Sequence, residues 1–148
     1  MRKMQGYFEK IWSAAPGADE NKLWKLFSWI EESGFPETNL PEEYILLLKE
    51  SNGGDFTNGQ REYQLLSVEE VIAYYEAYSF PLYMPYAFPF AMDGCGNFYV
   101  FDLRENGTGV YAVSSGNMGW TDDECCRIAD SFLECLQQTE LLEDILLR

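Results

Sequence analysis

Apolar residues occupy both alternating sets of positions in residues 97–103, the sequence NFYVFDL. A half-exposed strand alternates apolar and polar side chains, whereas a strand that is apolar on both sides belongs inside a covered sheet. The preceding apolar residues 89–92 lead into the turn DGCGN, whose glycines permit the positive φ that a chain reversal requires. We therefore predict a β-hairpin at the centre of the core.

Apolar residues at helical spacing predict helices elsewhere in the chain. An N-terminal helix is expected within residues 1–17, where Ala15-Pro16-Gly17 breaks the pattern. Its apolar face comprises Met4, Tyr7, Phe8, Ile11 and Trp12. A second helix is expected from residue 19 or 20 to Ser33, with Gly34 as its terminator. A third is opened by Pro41, whose fixed φ suits a first helical turn.

Two capping boxes indicate two further helices, because a Ser or Thr and a Glu three residues later satisfy each other's backbone groups. Ser67 with Glu70 starts one helix, and Thr121 with Glu124 starts the other. The second helix is predicted to bury Cys125, Ile128, Ala129, Phe132, Leu133 and Leu136. Residues 63–66 and 110–114 are predicted strands, residues 105–109 a turn, and residues 79–86 an extended connection. Together the elements predict a single α+β domain: a central antiparallel sheet flanked by N-terminal, middle and C-terminal helices.

Two features have both a structural and a functional interpretation. Asn52, Gly53 and Gly54 are interpreted first as a left-handed helix cap followed by a turn into a strand, with ligand binding as the alternative. An aromatic stripe supplies rigid contact area with polar tips, which suits a binding groove. It comprises Tyr74, Tyr75, Tyr78, Phe80, Tyr83 and Tyr86. We favour the interpretation in which these rings cover the sheet.

The order and spacing of the motifs LPEEYILLLKESNGGDF, PFAMDGCGNFYVFDL and GTGVYAVSS resemble the SUKH superfamily. This group contains the yeast cell-wall-assembly-regulator domain and many bacterial immunity proteins. The resemblance covers about residues 24–136. It implies an α+β domain and, in bacteria, a protein that binds and neutralises a toxin. The matching motif residues, expected to be mainly structural, are Asn52, Gly53, Gly54, Asp93, Gly94, Gly96 and Asn97.

The chain is strongly acidic, with 25 Asp and Glu against 10 Lys and Arg and a formal net charge of −15. Such a charge repels nucleic acid and anionic membrane and attracts a cationic protein surface, although solubility alone is a competing explanation. We therefore predict a protein partner, such as a cationic toxin domain. The candidate contact residues are Asp55, Tyr83, Tyr86, Asp122, Asp123 and Glu124.

The sequence favours binding over catalysis. It contains no histidine, so there is no imidazole proton shuttle and no Ser-His or Cys-His pair. The four cysteines include no C-x-x-C pair, so free thiols without metal are expected. We expect no cofactor. An enzyme that relies on carboxylates is the third alternative, after an immunity protein and a regulatory or scaffold module of the same fold.

The compartment is predicted from the same residues. There is no apolar run long enough for a membrane span, and Glu9 and Lys10 interrupt the apolar part of the N-terminus. We therefore expect no signal peptide and a cytoplasmic protein.

Overall fold

The computed structural model describes residues 6–146 of the 148-residue chain. Seven strands form one antiparallel sheet, and their order across the sheet is their order in the sequence. They are β1 (Lys10–Ala14), β2 (Gly54–Asn58), β3 (Arg61–Leu65), β4 (Ala87–Met92), β5 (Asn97–Asp102), β6 (Val110–Ser114) and β7 (Cys125–Ala129). The predicted α+β class with an antiparallel sheet is confirmed.

The helices lie in the connections between strands. Two separate β1 from β2: α1 (Glu20–Glu32) and α2 (Glu42–Glu50). Two more separate β3 from β4: α3 (Val68–Ala77) and α4 (Phe80–Tyr83). After β7 come α5 (Phe132–Leu136) and α6 (Leu142–Leu146). The capping box predicted for α3 is present in full, and Asp19 caps α1 by accepting from the Lys22 amide.

Strand β5 lies in the interior of the sheet, between β4 and β6, and all six of its residues are buried. On one face, Phe101 packs against Tyr44 of α2 and Phe132 of α5. On the other face, Phe98 packs edge-on against Phe80 of α4, with ring centroids 5.2 Å apart. The predicted central strand with two covered faces is confirmed.

The hairpin of β2 and β3 holds the segments that precede β1 and follow β7. Asn58 is buried, and its side-chain amide donates to the carbonyl groups of Tyr7 and Leu136. Arg61 is fully buried and donates to two oxygen acceptors in residues 138–140. One hairpin therefore fixes both segments by buried hydrogen bonds.

The helix predicted within residues 1–17 is wrong over most of its described length. Residues 6 and 7 are helical, but Lys10–Ala14 is strand β1 and pairs antiparallel with β2. Met4 lies outside the described residues. Pairing with β2 satisfies the backbone groups of this segment, so sheet formation outweighs the helical spacing of its apolar residues.

The helix predicted from Thr121 is also wrong. The Thr121 hydroxyl donates to Glu124 at 2.7 Å, but the turn ends there and Cys125–Ala129 pairs with β6 as strand β7. The nearby helix α5 begins only after Ser131, whose hydroxyl accepts from the Glu134 amide. The backbone groups along the edge of β6 are satisfied by β7, which a local capping signal does not anticipate.

The remaining boundaries differ less. Strand β3 begins at Arg61, two residues earlier than predicted, and β6 spans the predicted residues. The strand β2 was not predicted as a separate element. The extended connection is wrong where Phe80–Tyr83 forms a helical turn, because Pro81 lies in the first turn and needs no hydrogen-bond acceptor there.

Candidate partner-binding surface

The turn between β4 and β5 is organised by Asp93, which is buried. Its Oδ1 accepts hydrogen bonds from the amides of Cys95 and Asn97, and its Oδ2 accepts from the Asn97 side chain at 2.8 Å. Gly94 and Gly96 have φ of 83° and 88°, as the sequence predicts. The hydrogen bonds of Asp93 lie within its own turn, which gives this motif a structural explanation.

The Asn-Gly-Gly motif joins α2 to β2 and to α3. Helix α2 ends at Ser51 in an extended conformation, so the predicted left-handed helix cap is wrong. Gly53 and Gly54 nevertheless have positive φ, and a Cβ on Gly54 would lie 2.6 Å from the Ser13 carbonyl oxygen. The Asn52 side chain accepts from the Val68 amide at the start of α3. These contacts position the start of β2.

Glu69, on the first turn of α3, forms an ion pair with Lys22 of α1. The hydrogen bond from Lys22 is the largest of the effects that lower the pKa of Glu69 to about 2, and the Asn52 amide contributes a second hydrogen bond. The charged form of Glu69 is therefore the one that the folded protein stabilises.

The sheet surface around β2 is open to solvent on one face. We define the open face by five residues: Trp12, Asp55, Thr57, Glu62 and Gln64. Across β2 and β3, Asp55 pairs with Gln64 and Thr57 with Glu62, so all four side chains project from the same face. Their alternating neighbours on these strands are buried on the other face. An open depression of about 290 Å³ lies against this part of the sheet.

Trp12 is the largest side chain of the open face, and 61% of it is exposed. Its indole nitrogen donates to the Thr57 hydroxyl at 3.0 Å, and the Lys10 ammonium lies 3.6 Å from the ring centroid. Asp55 accepts a hydrogen bond from Ser13 at 3.3 Å. Within residues 6–146, no lysine or arginine forms an ion pair with Asp55 or Glu62.

The acidic turn, Asp122 to Glu124, lies near the opposite edge of the sheet, immediately before β7. The two aspartates are exposed, whereas Glu124 is half-buried and accepts from Thr121. Trp120, just before the turn, donates to the Pro85 carbonyl at 2.8 Å. This end of the sheet therefore also combines acidic side chains with a tryptophan.

The aromatic stripe mainly covers the sheet, as we favoured. Tyr74 and Tyr78 contact Phe98 of β5 edge-on, and Tyr75 stacks on Phe80. The other rings in residues 83–86 differ in exposure. Tyr83 is 58% exposed, whereas Tyr86 is half-buried against Phe35.

The six candidate contact residues lie in three places rather than on one surface. Asp55 is on β2, near one edge of the sheet, and the acidic turn is near the other edge. Tyr83 and Tyr86 are on and after α4, and the bond from Trp120 to Pro85 connects that segment to the acidic turn. Only the last two groups are brought near each other.

Sequence reasoning missed four residues of the open face: Trp12, Thr57, Glu62 and Gln64. The alternation of Arg61–Leu65 carries a signal for the last two, because every second residue is buried and the intervening polar residues face solvent. Trp12 carries no such signal, since its apolar neighbours fit a helical face equally well.

The cysteine chemistry is that of unactivated thiols. All four cysteines are free. Burial raises the pKa of Cys125 to about 11 and of Cys135 to about 12, and the charge of Asp93 raises the pKa of Cys95. Across residues 6–146, no cluster of three or more Cys, Asp or Glu residues is arranged to hold a metal ion. None of the described helices is long and apolar enough to cross a membrane.

An antiparallel sheet with helices on both faces, an open acidic surface at one end and two glycine-rich turns defines an α+β domain. The chain belongs to the SMI1 / KNR4 family (SUKH-1), whose pattern matches residues 19–138. The match includes both glycine-rich motifs and confirms the resemblance seen in the sequence. No curated protein matches the chain significantly.

Proposed function

We propose that this protein is an immunity protein, a non-catalytic cytoplasmic protein that binds a cognate bacterial toxin and neutralises it by stoichiometric occlusion. Family membership supports a protein partner. The observation that carries the proposal is the net charge of −15, together with exposed carboxylates that have no ion-pair partner in the described chain. A surface of this kind favours a cationic partner, such as a toxin domain that cleaves nucleic acid.

The candidate contacts differ in their roles under this proposal. Asp122, Asp123 and Glu124 raise the negative potential near β7, which accelerates encounter with a cationic toxin. Tyr83 offers a rigid, exposed ring of the kind that is common at protein interfaces. Asp55 belongs to the open face, which combines charge with an exposed tryptophan.

The test is co-expression with the toxin domain encoded in the neighbouring reading frame. We expect cell growth to be restored, a one-to-one complex to form in solution, and the association rate to fall steeply as salt is added. If the toxin domain still inhibits growth when this protein is expressed with it, the proposal is contradicted. If no toxin gene lies nearby, the alternative of a regulatory or scaffold module with a host protein partner gains support.

A further inference from the structure

Near β7, the described part of the chain shows how a tryptophan and a carboxylate together bind an arginine side chain. The Arg104 guanidinium lies over the Trp120 ring, 3.8 Å from its centroid. Two of its nitrogens donate to the two carboxylate oxygens of Asp102, at 2.9 and 2.8 Å. A planar guanidinium can stack on an indole and form paired hydrogen bonds with a carboxylate at the same time. Arg104, Asp102 and Trp120 thus satisfy one another within the chain.

The open face has the same acceptor groups without an arginine. Trp12 presents an exposed indole, and Asp55 and Glu62 are exposed carboxylates on the adjacent strands. We propose that the open face binds an arginine side chain of the protein partner, with the guanidinium stacked on Trp12 and hydrogen-bonded to Asp55 and Glu62. This inference rests on the proposed function for the identity of the partner, because a cationic toxin surface is rich in such side chains.

The spacing of the two carboxylates suits a guanidinium. Glu62 is two residues from Gln64, the direct partner of Asp55, so the two acids are diagonal neighbours across β2 and β3. Diagonal neighbours have Cα atoms about 7–8 Å apart. The Glu62 carboxylate lies beside Gly94 of the β4–β5 turn, and a rotation of this exposed side chain towards Asp55 brings both acids onto one guanidinium. Thr57 and Gln64, the other two residues of these pairs, supply neutral hydrogen-bonding groups beside the acids.

Lys10 shows that the Trp12 ring accepts a cation. Its ammonium lies 3.6 Å from the ring centroid, although both side chains are exposed on an edge strand. An exposed lysine is held weakly, since its ammonium is strongly hydrated and its stem is flexible. An arginine of the partner replaces it at low cost and, unlike lysine, adds paired hydrogen bonds to the carboxylates.

The direct test uses N-acetyl-arginine amide as the probe and N-acetyl-citrulline amide as its neutral isostere. Titration of the full chain, followed by 1H–15N correlation spectra, should shift the Trp12 indole signal and the amide signals of β2 and β3. We expect the citrulline probe to leave these signals unchanged. Comparable shifts at Asp122 and Asp123, or none at the open face at millimolar probe, would overturn the inference.

Matched variants separate the site from general charge. Glu62→Gln and Trp12→Leu should each weaken binding of the arginine probe about two- to fivefold, since exposed ion pairs and cation–π contacts have energies of that size. Lys10→Gln should strengthen it about twofold or more by freeing the ring. Lys25→Gln, at an exposed position of α1, changes the net charge equally and should have little effect. If Lys10→Gln and Lys25→Gln strengthen binding of the arginine probe equally, net charge explains the effect and the proposed site is overturned.

A second experiment separates the site from the proposed function. The double variant Asp55→Asn, Glu62→Gln is titrated with the neighbouring toxin domain. If the double variant binds and neutralises the toxin with unchanged affinity, the proposed function stands and the open face is not the contact surface. An arginine probe that binds the open face while no toxin is neutralised supports the site and contradicts the immunity function.

Discussion

The two ends of the sheet use similar residues in opposite ways. Near β7, Trp120 stacks with Arg104, which is paired with Asp102, so the charges and the ring satisfy one another. Near β1, Trp12 is exposed, and Asp55 and Glu62 have no ion pair within residues 6–146. The first arrangement is paired within the chain, whereas we propose that the second binds another molecule. The difference lies in the two tryptophan groups, because Asp122 and Asp123 at the β7 end are also exposed and have no ion pair within residues 6–146.

The largest expected effect separates the covered centre of the sheet from its open end. Phe101→Ala should lower the free energy of unfolding by about 3–5 kcal/mol, because the buried ring packs against two helices and leaves a cavity. Trp12→Leu should change it by only about 0.5 kcal/mol, since the side chain is mostly exposed. Urea denaturation of both variants measures the difference. Similar losses would mean that the two regions are equally important to stability.

The next effect concerns the turn that positions the open face. Gly54→Ala should destabilise the protein by about 1–3 kcal/mol, because φ is 140° and the added Cβ would approach the Ser13 carbonyl oxygen. Gly116→Ala is the control, since its nearest neighbour would be 3.8 Å away. Thermal melting should show the loss only for Gly54. A Gly54 variant with full stability but impaired partner binding would instead indicate a functional motif.

Charge reversal tests the comparison directly. Two double variants change the net charge by the same amount. One is Asp55→Lys with Glu62→Lys, and the other is Asp122→Lys with Asp123→Lys. Both pairs should slow association with a cationic toxin domain about tenfold at low salt, because both weaken the long-range field. Only the open-face pair should also accelerate dissociation. Stopped-flow measurements check both rates. If only the Asp122 and Asp123 variant dissociates faster, the acidic turn and not the open face is the contact surface.

The smallest effect is a pH dependence away from both ends. The pKa of Glu69 is lowered in the folded protein to about 2 from an ordinary value of 4.5, so its stabilising contribution is present above pH 4.5. That contribution is lost as the pH falls from 4.5 through 2. Glu69→Gln should therefore be slightly less stable than the wild type at neutral pH and equal to it near pH 2, as measured by denaturant titration. A constant difference across this range would contradict the assignment.

Much of the centre of the fold could be predicted from sequence because its signals are local and redundant. In β5 the two apolar sets, the glycines of its turn and Asp93 all indicate the same hairpin. Helix α3 was found at its capping box for a similar reason, since Ser67 and Glu70 interact with each other. The aromatic stripe was interpreted correctly because its buried rings repeat at helical spacing beside that strand.

The edge strands could not be predicted in this way. Whether Lys10–Ala14 and Cys125–Ala129 are strands depends on a partner strand, β2 or β6, and in the first case about forty residues separate the partners. The same limit applies to the open face. Trp12 and Glu62 come to share one face of the sheet only through the pairing of β1 with β2 and of β2 with β3.

The buried amide of Asn58 has a consequence for local unfolding. It bonds to the backbone of both the segment before β1 and the segment after β7, at Tyr7 and Leu136. Opening either segment leaves the same amide short of a partner, so the two segments should exchange their amide hydrogens as one cooperative unit. The stability of β1, which carries Trp12, therefore depends on the segment around Leu136, more than a hundred positions away in the sequence.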